Sequence, residues 1–438
     1  MTDKMQVNLR QVAMEILYEV QKNNGLLHVV LSDALKKYQY LDKNERSFIS
    51  RLVQGTEERK IELDYIIDSF SKTPVKKQKD VIRIILEMSV YQLKYMDSVP
   101  ASAVCNEAVK LAVKKNFGTL RGFVNGVLRN IARNIDNIEY PDKSTNTDKY
   151  LSVKYSVPEE LAGYFLKKFG DNETEEMFEA FNKDKSTYIR CNTKKTDIAG
   201  LTAALEAEGV TVTNEGIDKR IDYALKISGY DYLGGLKSFR DGLFFVQDIS
   251  SMLASQGFIK RDAYVIDVCA APGGKSINAA LMADIGHVSS RDISGRKVSL
   301  IKENAERLGI DNITYKVWDA VKKDEESVEK ADVLICDLPC SGLGIIGRKP
   351  DIKYNVTYEK IKELALLQRK ILSTVWEYVK KDGILIYSTC TVTPEENAEN
   401  TEWLVNNYPF ELIGKPEQIM PQDGTGDGFY IARLKRTE

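Results

Sequence analysis

Apolar residues recur at helical spacing from the front of the chain. Leu9, Val12, Ala13, Ile16, Leu17 and Val20 form one stripe, and Leu120, Phe123, Val124, Val127, Leu128 and Ile131 form another. The pattern predicts an almost wholly helical front over residues 1–135. It breaks at DNIEYPDKSTNTDK (136–149), a polar, proline-containing stretch that reads as a linker. Residues 150–240 then mix two helical stretches (158–169 and 174–181) with short apolar runs at 187–190 and 210–212, the pattern of a small α+β module. Beyond it, apolar runs alternate with helical ones. Val265, Ile266 and Val268 predict a buried strand, which Pro272-Gly273-Gly274 must end, and an alanine-rich helix follows over 277–283. Further strands are expected to end at Asp292 and to cover 313–317, 332–337 and 384–387, with Leu364, Leu367, Ile371, Val375 and Val379 on one face of a long intervening helix. Alternating strands and helices imply a mostly parallel sheet with right-handed crossovers. The expected division is therefore 1–137, 150–238 and 239–438.

Composition narrows the class. A chain of 438 residues with 43% hydrophobic and 29% charged residues fits a soluble protein of two or three domains. The net charge is only −2, but the first 140 residues carry 22 Lys and Arg against 17 Asp and Glu. A modestly basic front suits a nucleic-acid partner. On its last predicted helix Arg121, Asn125, Arg129 and Arg133 step by four, which reads either as a solvated face or as a nucleic-acid face. Arg190 is the corresponding candidate in the middle module. The opening MTDKMQVNLR has no apolar stretch of an export signal, and the best apolar run, 81–93, is interrupted by Arg83 and Glu87. Six scattered cysteines suit a reducing compartment, so a cytoplasmic protein is expected; two histidines and no C-x-x-C argue against zinc.

The turn after the first strand, Cys269-Ala-Ala-Pro-Gly-Gly-Lys275, has the strand–glycine–helix form of a nucleotide cradle, where backbone approaches a ligand that no Cβ obstructs. A phosphate-binding P-loop would need glycine where Cys269 stands, and the dinucleotide glycine pattern is also missing. An ATPase would leave the later cysteines unexplained. Asp267, Asp292, Asp319 and Asp337 all fall near strand ends, where ligands of such sheets bind, and Asp292 is spaced as a ribose-hydroxyl acceptor. Cys340 follows the fourth strand and Cys390 the fifth; if those strands are neighbours, about 4.8 Å apart, both thiols overlook one crevice. Thr393-Pro-Glu-Glu396 has the capping-box pattern, so a helix is expected to begin beside Cys390 and favour its thiolate. Cys105, Cys191 and Cys336 read as buried structural thiols.

These motifs carry a resemblance. "LRQVAMEILYEV", "NERSFISRLVQGT" and "GFVNGVLRNIAR" resemble the helical RNA-binding domain of the antitermination factor NusB. "DVCAAPGGKS", "DLPCSGLG", "RKPDIKY", "YSTCTVTPEEN" and "DGFYIARLKR" resemble the RNA cytosine-5 methyltransferases that use S-adenosylmethionine. Together they are similar to the ribosomal small-subunit RNA methyltransferase B family, also called Sun or Fmu; Leu338 departs from its commoner alanine. The resemblance implies an all-α NusB-like domain, an α+β connector and a Rossmann-like methyltransferase acting in the cytoplasm as a monomer on 16S ribosomal RNA before full subunit assembly, without a membrane partner. It implies that Cys390 adds to cytosine C6, that Cys340 assists product release and that Asp337 favours the protonated adduct. Cys269, Ala270, Ala271, Pro272, Gly273, Gly274 and Lys275 would then hold the methionine part of the cofactor, Asp292 its ribose and Asp319 its adenine. Lys275 would meet either the cofactor carboxylate or the base. Transfer RNA methyltransferases share the catalytic third, and a non-catalytic assembly factor would need neither cysteine; both stay open as alternatives.

Overall fold

The front stripes fold as their spacing dictates, into helices that bury one face each. Helix Leu9–Asn23 buries Val12, Ala13, Ile16, Leu17 and Val20, and helix Arg121–Asn134 buries Val124, Val127, Leu128 and Ile131. The hub is helix Asp80–Tyr95, buried from Ile84 to Gln92 with Glu87, Ser89 and Gln92 included, in one core with Ile49, Leu52, Ile66 and Leu128. The computed structural model describes residues 7–23, 25–183, 185–424 and 426–438; residues 1–6, part of the stretch read above for an export signal, lie outside the described residues. No helix among the described residues is long and apolar enough to cross a membrane. Half-buried Arg83 and buried Glu87 interrupt the hub helix as a pair: Arg83 Nε lies 2.7 Å from Glu87 Oε1, and burial, followed by repulsion from Asp64, pushes the Glu87 carboxyl up to about 8.

The chain divides into two compact units, Met1–Asn182 with Arg348–Asn355, and Lys183–Gly347 with Val356–Glu438. The expected module 150–238 is thereby split. Its helices Thr147–Tyr155, Glu159–Phe169 and Asp171–Phe181 belong to the first unit, where Ile61 N donates to Ser156 Oγ at 2.8 Å. The segment 348–355, whose flanks belong to the second unit, is also part of the first. Lys353 Nζ donates to Glu58 O at 2.7 Å, Tyr354 Oη to Glu57 O at 2.8 Å, and Asp351 accepts from Leu27 N at 3.3 Å.

In the second unit, β1 (Thr187–Cys191), β2 (Thr211–Thr213), β3 (Ala224–Ser228) and β4 (Phe244–Val246) form an antiparallel sheet of order β2-β3-β1-β4. It is tied to the following domain by Asn192 Nδ2, which donates to Leu308 O at 2.7 Å. Tyr188 and Phe245 also share the core of Val265 and Ile277. The larger sheet contains β5 (Tyr264–Asp267), β6 (His287–Asp292), β7 (Ile313–Val317), β8 (Ala331–Asp337), β9 (Val379–Thr389), β10 (Phe410–Leu412), β11 (Glu417–Ile419) and β12 (Phe429–Arg436). Its order is β10-β12-β9-β8-β5-β6-β7, with β11 on β12; β5 to β9 run parallel and β10 to β12 are antiparallel. Both faces are covered, so consecutive residues of β8 are all apolar: Val333 and Ile335 enter one core, Leu334 and Cys336 the other. Each such fully buried aliphatic side chain contributes about 1.5–3 kcal/mol.

Two elements differ from expectation. The long helix is Tyr358–Val375, and it buries Ile361, Ala365, Gln368, Ile371, Leu372 and Val375, whereas Leu366 and Leu367 are exposed and Val379 starts β9. The expected face was displaced because a polar residue, Gln368, occupies the middle of the true one. The helix after Cys390 starts at Ala398, not at Thr393. Thr393 Oγ1 donates to Glu396 Oε2 at 2.7 Å, so the capping-box residues bond side chain to side chain and residues 394–397 form a turn. No helix N-terminus therefore stands where one was expected to act on Cys390.

Candidate active site

Strand order reverses between β5 and β8, which makes the carboxyl ends of these strands the crevice where open parallel sheets bind ligands. The turn after β5 is shaped by backbone. Ala270 N donates to Arg291 O at 2.8 Å and Gly273 N to Ala270 O at 2.7 Å, and the Ala271–Pro272 peptide is cis. Gly273 has φ +107°, a conformation closed to side-chain-bearing residues, and a Cβ there would meet Ile277 and Ile301 at 3.2 Å. Cys269, half-buried, contributes backbone to this turn, and burial together with Asp267 and Asp292 holds its thiol well above the ordinary range. Asp267 lies beneath the turn rather than in the crevice: it is fully buried, accepts from Ser276 Oγ at 2.6 Å, and burial pushes it up to about 7.

Asp292 ends β6 and is nearly buried; its Oδ2 accepts from Ala271 N at 3.2 Å and its Oδ1 lies 3.3 Å from Lys297 Nζ. Asp319, past the end of β7, is half-buried and its Oδ1 accepts from Val321 N at 3.2 Å. Between them the surface is apolar. Ile293, directly after Asp292, is 62% exposed, and Val317, the register partner of Asp292, is 55% exposed. Sequence pattern had missed both; for Ile293, an aliphatic residue immediately following a strand-end acid was the available signal.

The second half of the site joins β8 to β9, whose pairing Asp337↔Ser388 sets their two thiol loops side by side. Cys340 Sγ and Cys390 Sγ are 3.2 Å apart and both half-buried. The contact with Cys390, reinforced by burial, holds the Cys340 thiol well above its ordinary range. Asp337 accepts from Ser388 Oγ at 2.8 Å on one oxygen and from Lys275 Nζ at 2.7 Å on the other. Lys275 also donates to Ser251 Oγ at 3.1 Å and lies 4.9 Å from the Phe429 ring centre. The glycine turn and the thiol pair are thus linked through one ion pair. Gly344 allows the closest approach in this corner: a Cβ there would stand 2.0 Å from Gly428 O and 2.9 Å from Cys390 O.

The remaining predicted residues divide sharply. Arg121, Arg129 and Arg133 are exposed along one helix, with Arg129 Nε donating to Asn125 Oδ1 at 3.0 Å. Arg190 is neither a surface residue nor part of this stripe. It is 1% exposed within β1, 5.8 Å from the Phe245 ring centre, and none of its three guanidinium nitrogens has a hydrogen-bond partner. Alternation along β1 turns it inward, so its expected RNA contact is not available. Cys105, Cys191 and Cys336 are buried as expected, and no group of metal-ligating side chains occurs among the described residues.

Residues 258–435 match the family model described as 16S rRNA methyltransferase RsmB/F, and residues 7–133 match that of the NusB family. The chain is 35% identical to the probable ribosomal RNA small subunit methyltransferase B of Bacillus subtilis (strain 168), covering 98% of this chain and 99% of that one. It is 32% identical to the protein of the same description from Synechocystis sp., over 98% and 100%. Among solved structures, PH0851 superposes with a TM-score of 0.82 at 25% identity over 98% of this chain and 99% of that one.

Proposed function

The chain belongs to the ribosomal RNA small subunit methyltransferase B family, a family of S-adenosylmethionine-dependent ribosomal RNA methyltransferases, and we propose that it methylates C5 of a cytidine in 16S RNA through a covalent cysteine adduct. The observation that carries this reading is the pair of thiols 3.2 Å apart at the ends of adjacent parallel strands, beside the Lys275–Asp337 ion pair. Cytosine C5 is a weak nucleophile on its own. Addition of the Cys390 thiolate to C6 breaks the ring's conjugation and places electron density on C5. Asp337 stands next to this pair, suited to hold a proton at N3 of the base and so favour the adduct. Once C5 carries the methyl group, its proton passes to water, the C5–H electrons re-form the C5–C6 double bond, and the C6–S bond breaks with its electrons returning to Cys390. Cys340 assists that release. The target cytidine must be unstacked to reach the thiols, at a cost of a few kcal/mol unless it already lies in a loop.

The crevice fits the cofactor. Gly273, at its positive φ, leaves backbone of residues 269–275 open to the methionine part, Asp292 is a buried acid suited to the ribose hydroxyls, and Asp319 suits the adenine amine. The exposed Ile293 supplies an apolar face for a flat ring. When bound, the cofactor supplies an electrophilic methyl group. The NusB-like front acts as an RNA-positioning module through Arg121, Arg129 and Arg133, whose contacts to phosphate set register and not chemistry. The protein acts as a monomer on RNA not yet packed into a finished subunit.

The test is the division of labour between the thiols. Cys390→Ser is expected to abolish methylation of 16S RNA transcribed in vitro, whereas Cys340→Ala should accumulate an RNA-linked protein visible on a denaturing gel. Retained activity in Cys390→Ser would reverse or remove the assigned roles.

A further inference from the structure

Behind the two thiols lies a pair of buried residues to which the chemistry above gives no task. Glu396 is 0% and Asn397 1% exposed. Four donors converge on the Glu396 carboxylate: Ser341 N at 2.8 Å and Gln368 Nε2 at 3.0 Å on Oε1, Ser341 Oγ at 2.5 Å and Thr393 Oγ1 at 2.7 Å on Oε2. Gln368 Nε2 donates also to Pro339 O at 2.9 Å. Both chain neighbours of Cys340 are therefore held, Ser341 by Glu396 itself and Pro339 through Gln368. Asn397 does the same for Cys390. Its Oδ1 accepts from Thr389 Oγ1 at 2.5 Å and its Nδ2 donates to Thr391 O at 3.0 Å.

We propose that Glu396 and Asn397 are positioning residues, one for each thiol: Glu396 fixes Cys340 through Pro339 and Ser341, and Asn397 fixes Cys390 through Thr389 and Thr391. The inference rests on the roles assigned above, Cys390 attacking and Cys340 releasing. Because the two residues are consecutive, the spacing of the two thiol loops is referred to a single piece of backbone. The loops are otherwise joined directly by Gly344 N donating to Cys390 O at 3.1 Å and by the Ser341 and Thr391 hydroxyls at 2.8 Å. The carboxylate is essential to this arrangement. An acid that accepts four hydrogen bonds presents acceptors only, while the isosteric amide of glutamine would turn two N–H donors toward donors already in place. Groups that must meet a reacting atom lose about 10²-fold in rate when displaced by roughly 1 Å.

Since each residue tethers a different loop, their substitutions should split the reaction cycle. Glu396→Gln should form the RNA-linked species at a rate close to that of the parent and resolve it about 10²-fold more slowly, so that adduct accumulates. Asn397→Ala should slow adduct formation by a comparable factor, about 10²-fold, and leave the decay of adduct already formed unchanged. The measurement is a single-turnover time course with 16S RNA transcribed in vitro and methyl-labelled S-adenosylmethionine, separating linked from free protein on a denaturing gel. Cofactor affinity by calorimetry reports whether each variant is folded. Ser341→Ala and Thr389→Val remove one hydroxyl from each tether, and they should shift the same respective steps in the same direction; they decide the matter should either larger change prevent folding. Equal slowing of both steps in both variants, with cofactor affinity retained, would overturn the proposal, as would rates unchanged in both. Failure of the underlying thiol roles looks different: Cys340→Ala would yield no RNA-linked protein at any time, and the positioning roles would fall with them.

Discussion

The glycine turn after β5 and the thiol corner stand on neighbouring strands of one sheet, yet they are built by different means. The turn is made of consecutive residues, 269–275, and its shape comes from backbone: a positive-φ glycine, a cis proline and hydrogen bonds between main-chain groups. The corner is made of side chains from separate elements, with Gln368 from a helix, Ser341 from one loop, and Thr393, Glu396 and Asn397 from another. Backbone shape is written locally, since glycine opens positive φ at its own position and proline fixes its own φ and narrows that of the residue before it. A buried polar network is written nowhere in particular, because each member is satisfied only by partners that folding brings to it.

The sharpest way to break this comparison uses one glycine from each region. Gly344→Ala would force a Cβ to 2.0 Å from Gly428 O, so overpacking of about 1–3 kcal/mol and near-complete loss of methylation are expected. Gly274→Ala meets only Gln247 and Phe245, at 3.5 Å and beyond, so it should leave the urea unfolding midpoint nearly unchanged. Equal destabilisation by both would mean that the two regions are equally tight. A smaller effect is expected from Asp292→Ala, which removes a charged acceptor from the turn's side of the crevice. S-adenosylmethionine affinity should fall by about 1.5–3 kcal/mol in calorimetry, with RNA affinity unaltered; unchanged cofactor affinity would place the ribose acceptor elsewhere.

Replacing Arg121, Arg129 and Arg133 together by Glu probes a region that is exposed, in contrast to both. RNA binding should weaken, and its salt dependence should flatten by roughly 0.7 in log–log slope for each phosphate of single-stranded RNA that is no longer neutralised. Wild-type affinity and slope would make the stripe a solvated face. The smallest effect concerns Asp267 beneath the turn, pushed up to about 7 by burial. A carboxyl whose folded value is raised stabilises the fold as the neutral acid, fully below the unfolded value near 4, and this contribution is lost as pH rises through about 7. Urea midpoints of the protein should therefore decline between about pH 4 and about pH 7 and level off above that, and Asp267→Asn should flatten that decline.

Much of the site was legible beforehand because its parts are local. The strand ends at Asp292 and Asp337, the glycine turn and the two loop cysteines all fell where hydrophobic runs met residues that cannot continue a strand. Three expectations failed for reasons beyond any local window. Thr393 and Glu396 have a capping-box spacing, but Ser341 supplies donors that draw the carboxylate away from the helix end. Gln368 disguised the buried face of its helix because its amide is satisfied by Pro339 and Glu396, which are remote in sequence. Arg190 has the look of a surface cation until the alternation of β1 turns it toward Phe245.

What the sequence determined by itself is the helical front, the parallel strands β5 to β9, the order of chemistry along their ends, and the kinship that its motifs carry. Periodicity and turn residues act over a few positions, and so they survive without the fold. Tertiary structure alone decided that Cys340 and Cys390 meet at 3.2 Å, that residues 348–355 belong to the first unit, and that Glu396 and Asn397 bond to residues beside the two cysteines. Each of those facts depends on desolvated polar groups finding partners, and burial makes such a partnership strong only after the chain has closed around it.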